Sequence, residues 1–122
     1  MRPCRLVAIV DDDRFDRVSA RRAVMRNWPE AEVLEFPYAC SMLDHLKEPG
    51  QDNIDLILLD VNMPVMDGFE FADAYSDLYP EIRDNTTIVM MSNSIDPSDA
   101  FRASEHPSIQ KLVTKPVQPS AL

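Results

Sequence analysis

Four apolar runs in this chain end in polar residues that could do chemistry together. Asp11 and Asp12 follow the run ending at Val10, and Asp60 follows Leu56–Leu59. Ser92 follows Thr86–Met91, and Lys115 follows Ile109–Thr114. An apolar run without charge reads as a strand buried on both faces, so its terminal residue is held where the strand emerges. Three carboxylates gathered at one edge repel one another. At ~4 Å and an effective dielectric near 20, each pair costs about 4 kcal/mol. They must take up a proton or a cation. An all-oxygen set suits Mg²⁺ and does not suit zinc, because no cysteine or histidine joins it. With the cation in place Asp60 stays ionised and can act as a nucleophile. A carboxylate that attacks phosphorus forms an acyl phosphate. Lys115 could neutralise the phosphoryl oxygens, and the Ser92 hydroxyl could add a hydrogen bond. Pro116 biases Lys115 towards an extended backbone, which helps to aim it.

The elements that must position these residues alternate along the chain. Strands are expected at Arg5–Val10, Glu32–Phe36, Leu56–Leu59 with Asp60 at its end, Thr86–Met91 and Ile109–Thr114. Asp13 is placed to cap a helix reaching about Trp28, with Phe15, Ala20, Ala23, Val24 and Trp28 on its apolar face. Arg17, Arg21, Arg22 and Arg26 of that helix are expected in water. Ala39, Met42, Leu43 and Leu46 mark a second helix, stopped by Pro49-Gly50. Phe71, Ala72, Tyr75, Leu78 and Tyr79 mark a third, broken by Pro80. Asp67-Gly68 before it reads as a turn, since Gly68 tolerates positive φ, and Asp67 as a turn residue in place of a ligand. Asp96-Pro97 starts a short fourth helix that Pro107 closes. The residues from Val117 to Leu122 could begin a fifth helix but cannot complete a long one. This series predicts an α/β, flavodoxin-like three-layer sandwich, a five-stranded parallel sheet in order 2-1-3-4-5 with a shortened C-terminal helix. One domain, residues 1–122, accounts for it.

Composition narrows the function. The net charge of −9 repels phosphate backbones, which argues against direct nucleic-acid binding. With two glycines, Gly50 and Gly68, no glycine-rich nucleotide loop can be written. No apolar run approaches the ~20 residues of a membrane span. The apolar start runs straight into Asp11-Asp12-Asp13 without a small-residue cleavage site, so it reads as a strand of a cytoplasmic protein. Cys4 and Cys40 make neither a disulfide framework nor a metal site. His45 and His106 are expected on helices, at the surface and away from the acids. The D-x-N-x-x-x-x-D-G spacing from Asp60 evokes a calcium loop but lacks its ligand positions and closing glutamate.

V-D-D-D at 10–13, L-L-D-V-N-M-P-V-M-D-G at 58–68, M-M-S-N at 90–93 and T-K-P at 114–116 together resemble the response-regulator receiver domain of two-component signalling, and stand-alone, CheY-like receivers in particular. The resemblance covers nearly the whole chain. It implies that Asp60 is the phosphoacceptor, that Asp11 and Asp12 hold Mg²⁺ with Asp60 and the Asn62 backbone carbonyl, that Ser92 is the switch hydroxyl and that Lys115 contacts the phosphoryl group. It also implies a cis peptide at Lys115–Pro116. A sensor histidine kinase or histidine phosphotransfer protein would be the donor, and a downstream protein the target of a changed strand-4/helix-4 surface. The protein would be a monomer or weak dimer, and no enzyme beyond its own phosphotransfer and autodephosphorylation. The sequence departs from the family pattern at Leu112, Val117 and Asn93, where many receivers carry a switch aromatic, another aromatic and a small residue. An aspartyl-phosphate phosphatase would want an acid at position 62, where Asn62 stands; a binding-only receiver would have no need of the intact acids and Lys115.

Overall fold

A computed structural model describes residues 4–78 and 85–122. The Tyr79 and Pro80 expectations lie outside the described residues. Five parallel strands, β1 (Leu6–Val10), β2 (Glu32–Phe36), β3 (Leu56–Asp60), β4 (Thr87–Ser92) and β5 (Ile109–Thr114), form one sheet in the order β2-β1-β3-β4-β5. The helices between them are α1 (Arg14–Asn27), α2 (Ala39–Lys47), α3 (Gly68–Ser76) and α4 (Pro97–Glu105). A single 3₁₀ turn, Pro119–Ala121, follows β5. This is the expected flavodoxin-like topology.

The alternation of side chains along a strand decides which layer each residue joins. Ala8, Val10, Ile57, Leu59, Ile88 and Met90 pack with residues of α2 and α3 on one face. Val7, Ile9, Leu56, Leu58, Val89 and Met91 pack with Ala20, Ala23 and Val24 of α1 on the other. Apart from Thr87 and the terminal Asp60 and Ser92, the three central strands are therefore apolar, as a sheet covered on both faces requires. The edge strand β2 carries Glu32 and Glu35 on its exposed positions.

Local signals account for the helix ends. Asp13 caps α1, its side chain accepting from the Asp16 amide, and Asp96 caps α4 in the same way through the Asp99 amide. Asp67 and Glu70 close a reciprocal capping box at α3. Gly50, beyond α2, has φ +81°. Gly68 does not use the positive φ that it could tolerate. It is the first residue of α3, and its backbone is pressed against the end of β3. The left-handed residue of this loop is Val65, at φ +71°. A β-branched side chain is strained there by roughly 1–2 kcal/mol, and at 92% exposure no burial of its side chain compensates. Val65→Gly is therefore expected to raise stability by roughly 0.5–1 kcal/mol after glycine's own entropic penalty. A lower denaturation midpoint for the variant would contradict this.

Two expectations for α1 need correction. Phe15 is 84% exposed and takes no part in the apolar face. It lies in the first turn, ahead of the stripe of Ala20, Ala23 and Val24 that meets the sheet. Arg17 does not point freely into water. Its guanidinium donates to the Asp11 carbonyl at 2.8 Å and to Glu35 at 3.1 Å, and Arg21 adds a 2.6 Å contact to Glu35. An acid on the edge strand draws these arginines across the helix–sheet seam.

Candidate functional site

Side-chain parity also builds the site. Asp11 continues the alternation of Val7 and Ile9, and Asp60 that of Leu56 and Leu58, so both carboxylates leave the sheet on the α1 side. Lys115 continues from Val113 on the same face. The strands are in register, with Val10 opposite Leu59, which brings the next residues, Asp11 and Asp60, alongside one another. The Lys115 amide donates to the Ser92 carbonyl at 2.7 Å, and the Lys115–Pro116 peptide is cis, as expected.

The four charged groups meet. Asp11, Asp12 and Asp60 each offer a carboxylate oxygen within 4.8 Å of the others. The Lys115 ammonium lies 2.8 Å from Asp11 Oδ2 and 3.1 Å from Asp60 Oδ1. Asp11 and Asp60 are buried and Asp12 is exposed, so the cluster opens to water on one side. The Asn62 amide approaches Asp60 Oδ1 at 3.4 Å. The Asp13 amide donates to Asp11 Oδ1 at 2.9 Å.

Burial sets the electrostatics. It pushes the Asp60 pKa up to about 6, helped by the Asp11 charge and opposed by Lys115. Asp11 is also raised, chiefly by burial, against the pull of Lys115 and the Asp13 amide. Burial disfavours the Lys115 ammonium, but the attraction of Asp11 and Asp16, together with the charge of Asp60, outweighs it and holds its pKa above the ordinary value. One lysine thus sits among acids that outnumber it.

The donor set fits a hard divalent cation. Asp11 Oδ2 is buried and accepts no hydrogen bond, although the lysine is near. A buried carboxylate oxygen without a directed partner is costly. Carboxylate oxygens on two strand ends, one of them open to water, match what Mg²⁺ or Mn²⁺ requires.

Ser92 behaves differently. It is buried at the end of β4, beside the strand that carries Asp60, but has the opposite parity to Val89 and Met91. Its hydroxyl donates to the Ser94 carbonyl at 2.9 Å and accepts from the Ser94 amide at 3.2 Å. It closes its own loop through these two bonds.

The sequence reading missed Asp16. Its carboxylate takes a 2.8 Å hydrogen bond from Lys115, across 99 residues of chain. It stands in the first turn of α1, three residues after the cap, on the helix that covers the face where the acids emerge. That position was readable once the helix start and strand parity were combined. His106 stands at a helix end away from the acids, as expected, but is not free at the surface. It caps the end of α4, with Nε2 2.9 Å from Asp73 and Nδ1 accepting from the Ser108 amide, so it ties α3 to the turn before β5.

Comparisons with known proteins bear on the family and the fold. The family profile of the response regulator receiver domain matches residues 7–122. The cyclic di-GMP phosphodiesterase response regulator RpfG of Xanthomonas campestris pv. campestris is 32% identical over 116 residues, which is 95% of this chain and 29% of that protein. The chain therefore spans under a third of the length of that relative. A response regulator receiver protein from Dyadobacter fermentans superposes with TM-score 0.84 at 32% identity, covering 95% of this chain and 90% of that one. A two-component response regulator from Cytophaga hutchinsonii superposes with TM-score 0.87 at 22% identity, covering 98% and 92%. Among the described residues, no helix is long and apolar enough to cross a membrane.

Proposed function

Because the chain belongs to the response regulator receiver domain family, we propose that it is a phosphorylation-dependent switch in which Asp60 accepts a phosphoryl group from a histidine kinase or histidine phosphotransfer protein. The observation that carries the reading is the convergence of Asp60 with Asp11, Asp12 and Lys115 at the carboxyl edge of the sheet. Asp11, Asp12, Asp60 and the Asn62 carbonyl would hold Mg²⁺. When bound, the cation supplies charge neutralisation for the carboxylates and the incoming phosphoryl oxygens.

The chain's own groups do the rest. A carboxylate oxygen of Asp60 forms the new O–P bond while the P–N bond of a phosphohistidine breaks, and the leaving imidazole nitrogen keeps the electron pair and takes a proton from water. Lys115 faces the growing charge on the phosphoryl oxygens. Ser92 would exchange its Ser94 carbonyl for a phosphoryl oxygen, which frees the loop between β4 and α4 and alters that surface for a protein target. The only chemistry assigned to the protein is this transfer and the hydrolysis of its own acyl phosphate. Its net charge of −9 favours a protein target over nucleic acid.

The test is a reaction with acetyl phosphate and Mg²⁺. Intact-mass analysis should show a gain of one phosphoryl group that hydroxylamine removes and that a chelator prevents. No gain from acetyl phosphate, phosphoramidate or a phosphorylated phosphotransfer domain would refute the proposal. A second expectation concerns the metal. Asp12→Ala removes the exposed acid of the cluster and should weaken Mg²⁺ binding by about ten-fold or more, given the loss of a charge and a ligand or water anchor. Amide NMR titration measures this directly; the same affinity in both proteins would count against Asp12 as a ligand.

A further inference from the structure

Lys115 has three carboxylates around it, but they are not equivalent. Asp11 and Asp60 stand beside it on the strand ends, at 2.8 and 3.1 Å. Asp16, on α1, lies at 2.8 Å and accepts a hydrogen bond of good geometry from the ammonium. Asp11 Oδ2, at the same distance, accepts none. The lysine's directed bond thus goes to the acid that belongs to neither the phosphoacceptor nor the metal cluster. The ammonium is enclosed, its side chain 7% exposed, whereas the Asp16 side chain is 29% exposed. Asp16 thus reaches the ammonium from the solvent side, while Asp11 and Asp60 enclose it from the strand ends.

We propose that Asp16 is a positioning residue that holds the Lys115 ammonium in the unphosphorylated protein and must give it up when Asp60 carries a phosphoryl group. The inference rests on the phosphoacceptor reading of Asp60 and adds the regulation of that site. An ammonium has three N–H donors. In the unmodified site one is committed to Asp16, and the other two face Asp11 and Asp60. A phosphoryl group on Asp60 brings further anionic oxygens, and a charge-assisted bond to one of them requires Lys115 to turn. The Asp16 carboxylate opposes that turn and also repels the new charge. It acts as a counterweight that keeps the lysine poised and the resting state favoured. The backbone of Asp16 is fixed by the Asp13 cap at its amide, so its carboxylate can follow the lysine only as far as its own short side chain reaches.

The test compares wild type with Asp16→Asn for binding beryllofluoride, a phosphoryl analogue, in the presence of Mg²⁺, by ¹⁹F NMR. Asp16→Asn should bind it about five-fold more tightly, the size expected for losing one partly exposed competing ion pair. The same substitution in a Lys115→Met background should change affinity by less than about two-fold, because the competition has lost its object. Equal or weaker binding by Asp16→Asn, or the same ratio in both backgrounds, overturns the proposal. A general effect on the helix would persist without the lysine. A second readout needs no analogue. In ligand-free, ¹⁵N-labelled protein the Lys115 ammonium should give a resolved, slowly exchanging signal that Asp16→Asn shifts or broadens. An unchanged signal overturns the proposal by itself. If wild type binds no analogue at all, the phosphoacceptor reading fails; if it binds and Asp16→Asn matches it, only the role of Asp16 fails.

Discussion

Asp60→Asn takes up no phosphoryl group, and in chelator above pH 6 it is more stable than the parent protein. The first half follows from the amide, which is neutral and a poor nucleophile. The second half follows from the site's electrostatics. Asp60 is 4% exposed, and burial with the Asp11 charge lifts its pKa from 3.8 to about 6. A carboxyl whose folded pKa is raised contributes stability in full below its unfolded pKa, and that stability is lost as pH rises through the folded value. Between about pH 4 and pH 7, the metal-free parent therefore loses about 3 kcal/mol through this one group. The asparagine variant does not. For a domain of this size the gap is on the order of 10 °C in Tm at pH 7.5. Lys115 loses one neighbour in the variant but keeps Asp11 and Asp16, so no buried ammonium is left unpaired. Mg²⁺ should close the gap by raising the parent's Tm, since a ligand of the folded state stabilises it by mass action. Scanning calorimetry of both proteins in chelator at pH 4.5 and 7.5 checks the sign. A parent that equals or exceeds the variant at pH 7.5 would show that Asp60 is not held at an electrostatic cost. Glu35 works in the opposite direction. Arg21, with Arg17, lowers its pKa against the effect of burial, so its contribution is present above 4.5 and fades on acidification.

Much of this site was legible in the sequence because β-strand chemistry is periodic and terminal. The apolar runs at 6–10, 56–59 and 87–91 admit little besides buried parallel strands, and the acids and lysine that end them then fall on one edge. What escaped the reading depended on which face each residue leaves. Asp11, Asp60 and Lys115 share a face, while Ser92 does not, and a list of strand-terminal polar residues treats all four alike. Asp16 escaped because an acid in the first turn of a helix has a sufficient local explanation in the helix dipole. Its bond to Lys115 is a tertiary fact, 99 residues distant in the chain. Arg17 escaped for a similar reason, since a charged residue on a helix reads as solvated until the neighbouring edge strand supplies Glu35. Gly50 takes a positive φ and Gly68 does not, while Val65 carries the strained backbone beside the site, where the residue type gives no sign of it.

Gly68→Ala is expected to be the most damaging small substitution in the described structure. In an ordinary helix the change would stabilise by up to about 1 kcal/mol, because alanine has less backbone entropy to lose. Here the sign reverses. A Cβ at residue 68 would collide with the Asp60 carbonyl oxygen, come within 2.6 Å of Met90 Cε and lie 3.1 Å from Val61 Cα. The methionine end can swing aside, but the Asp60 carbonyl and the Val61 backbone belong to the end of the central strand. The Gly68 amide also donates to the Val61 carbonyl at 2.9 Å, which pins the two segments together. Relief must come from moving α3 away from β3 or from tilting the peptide that carries Asp60. Overpacking with a backbone shift costs roughly 3 kcal/mol, a large share of the stability of such a domain. The second route also displaces Asp60 from Asp11, Asp12 and Lys115, so acyl phosphate formation should fall by about ten-fold or more even in the folded fraction. Gly50→Ala serves as the control. Its Cβ would meet nothing within 4 Å, so only the φ of +81° opposes it, at a cost of about 1 kcal/mol, and phosphorylation should be unchanged. Chemical denaturation of the two variants, paired with labelling by acetyl phosphate, separates packing from chemistry. If Gly68→Ala matches Gly50→Ala in both measurements, the close approach of α3 to the end of β3 does not hold the phosphoacceptor in place.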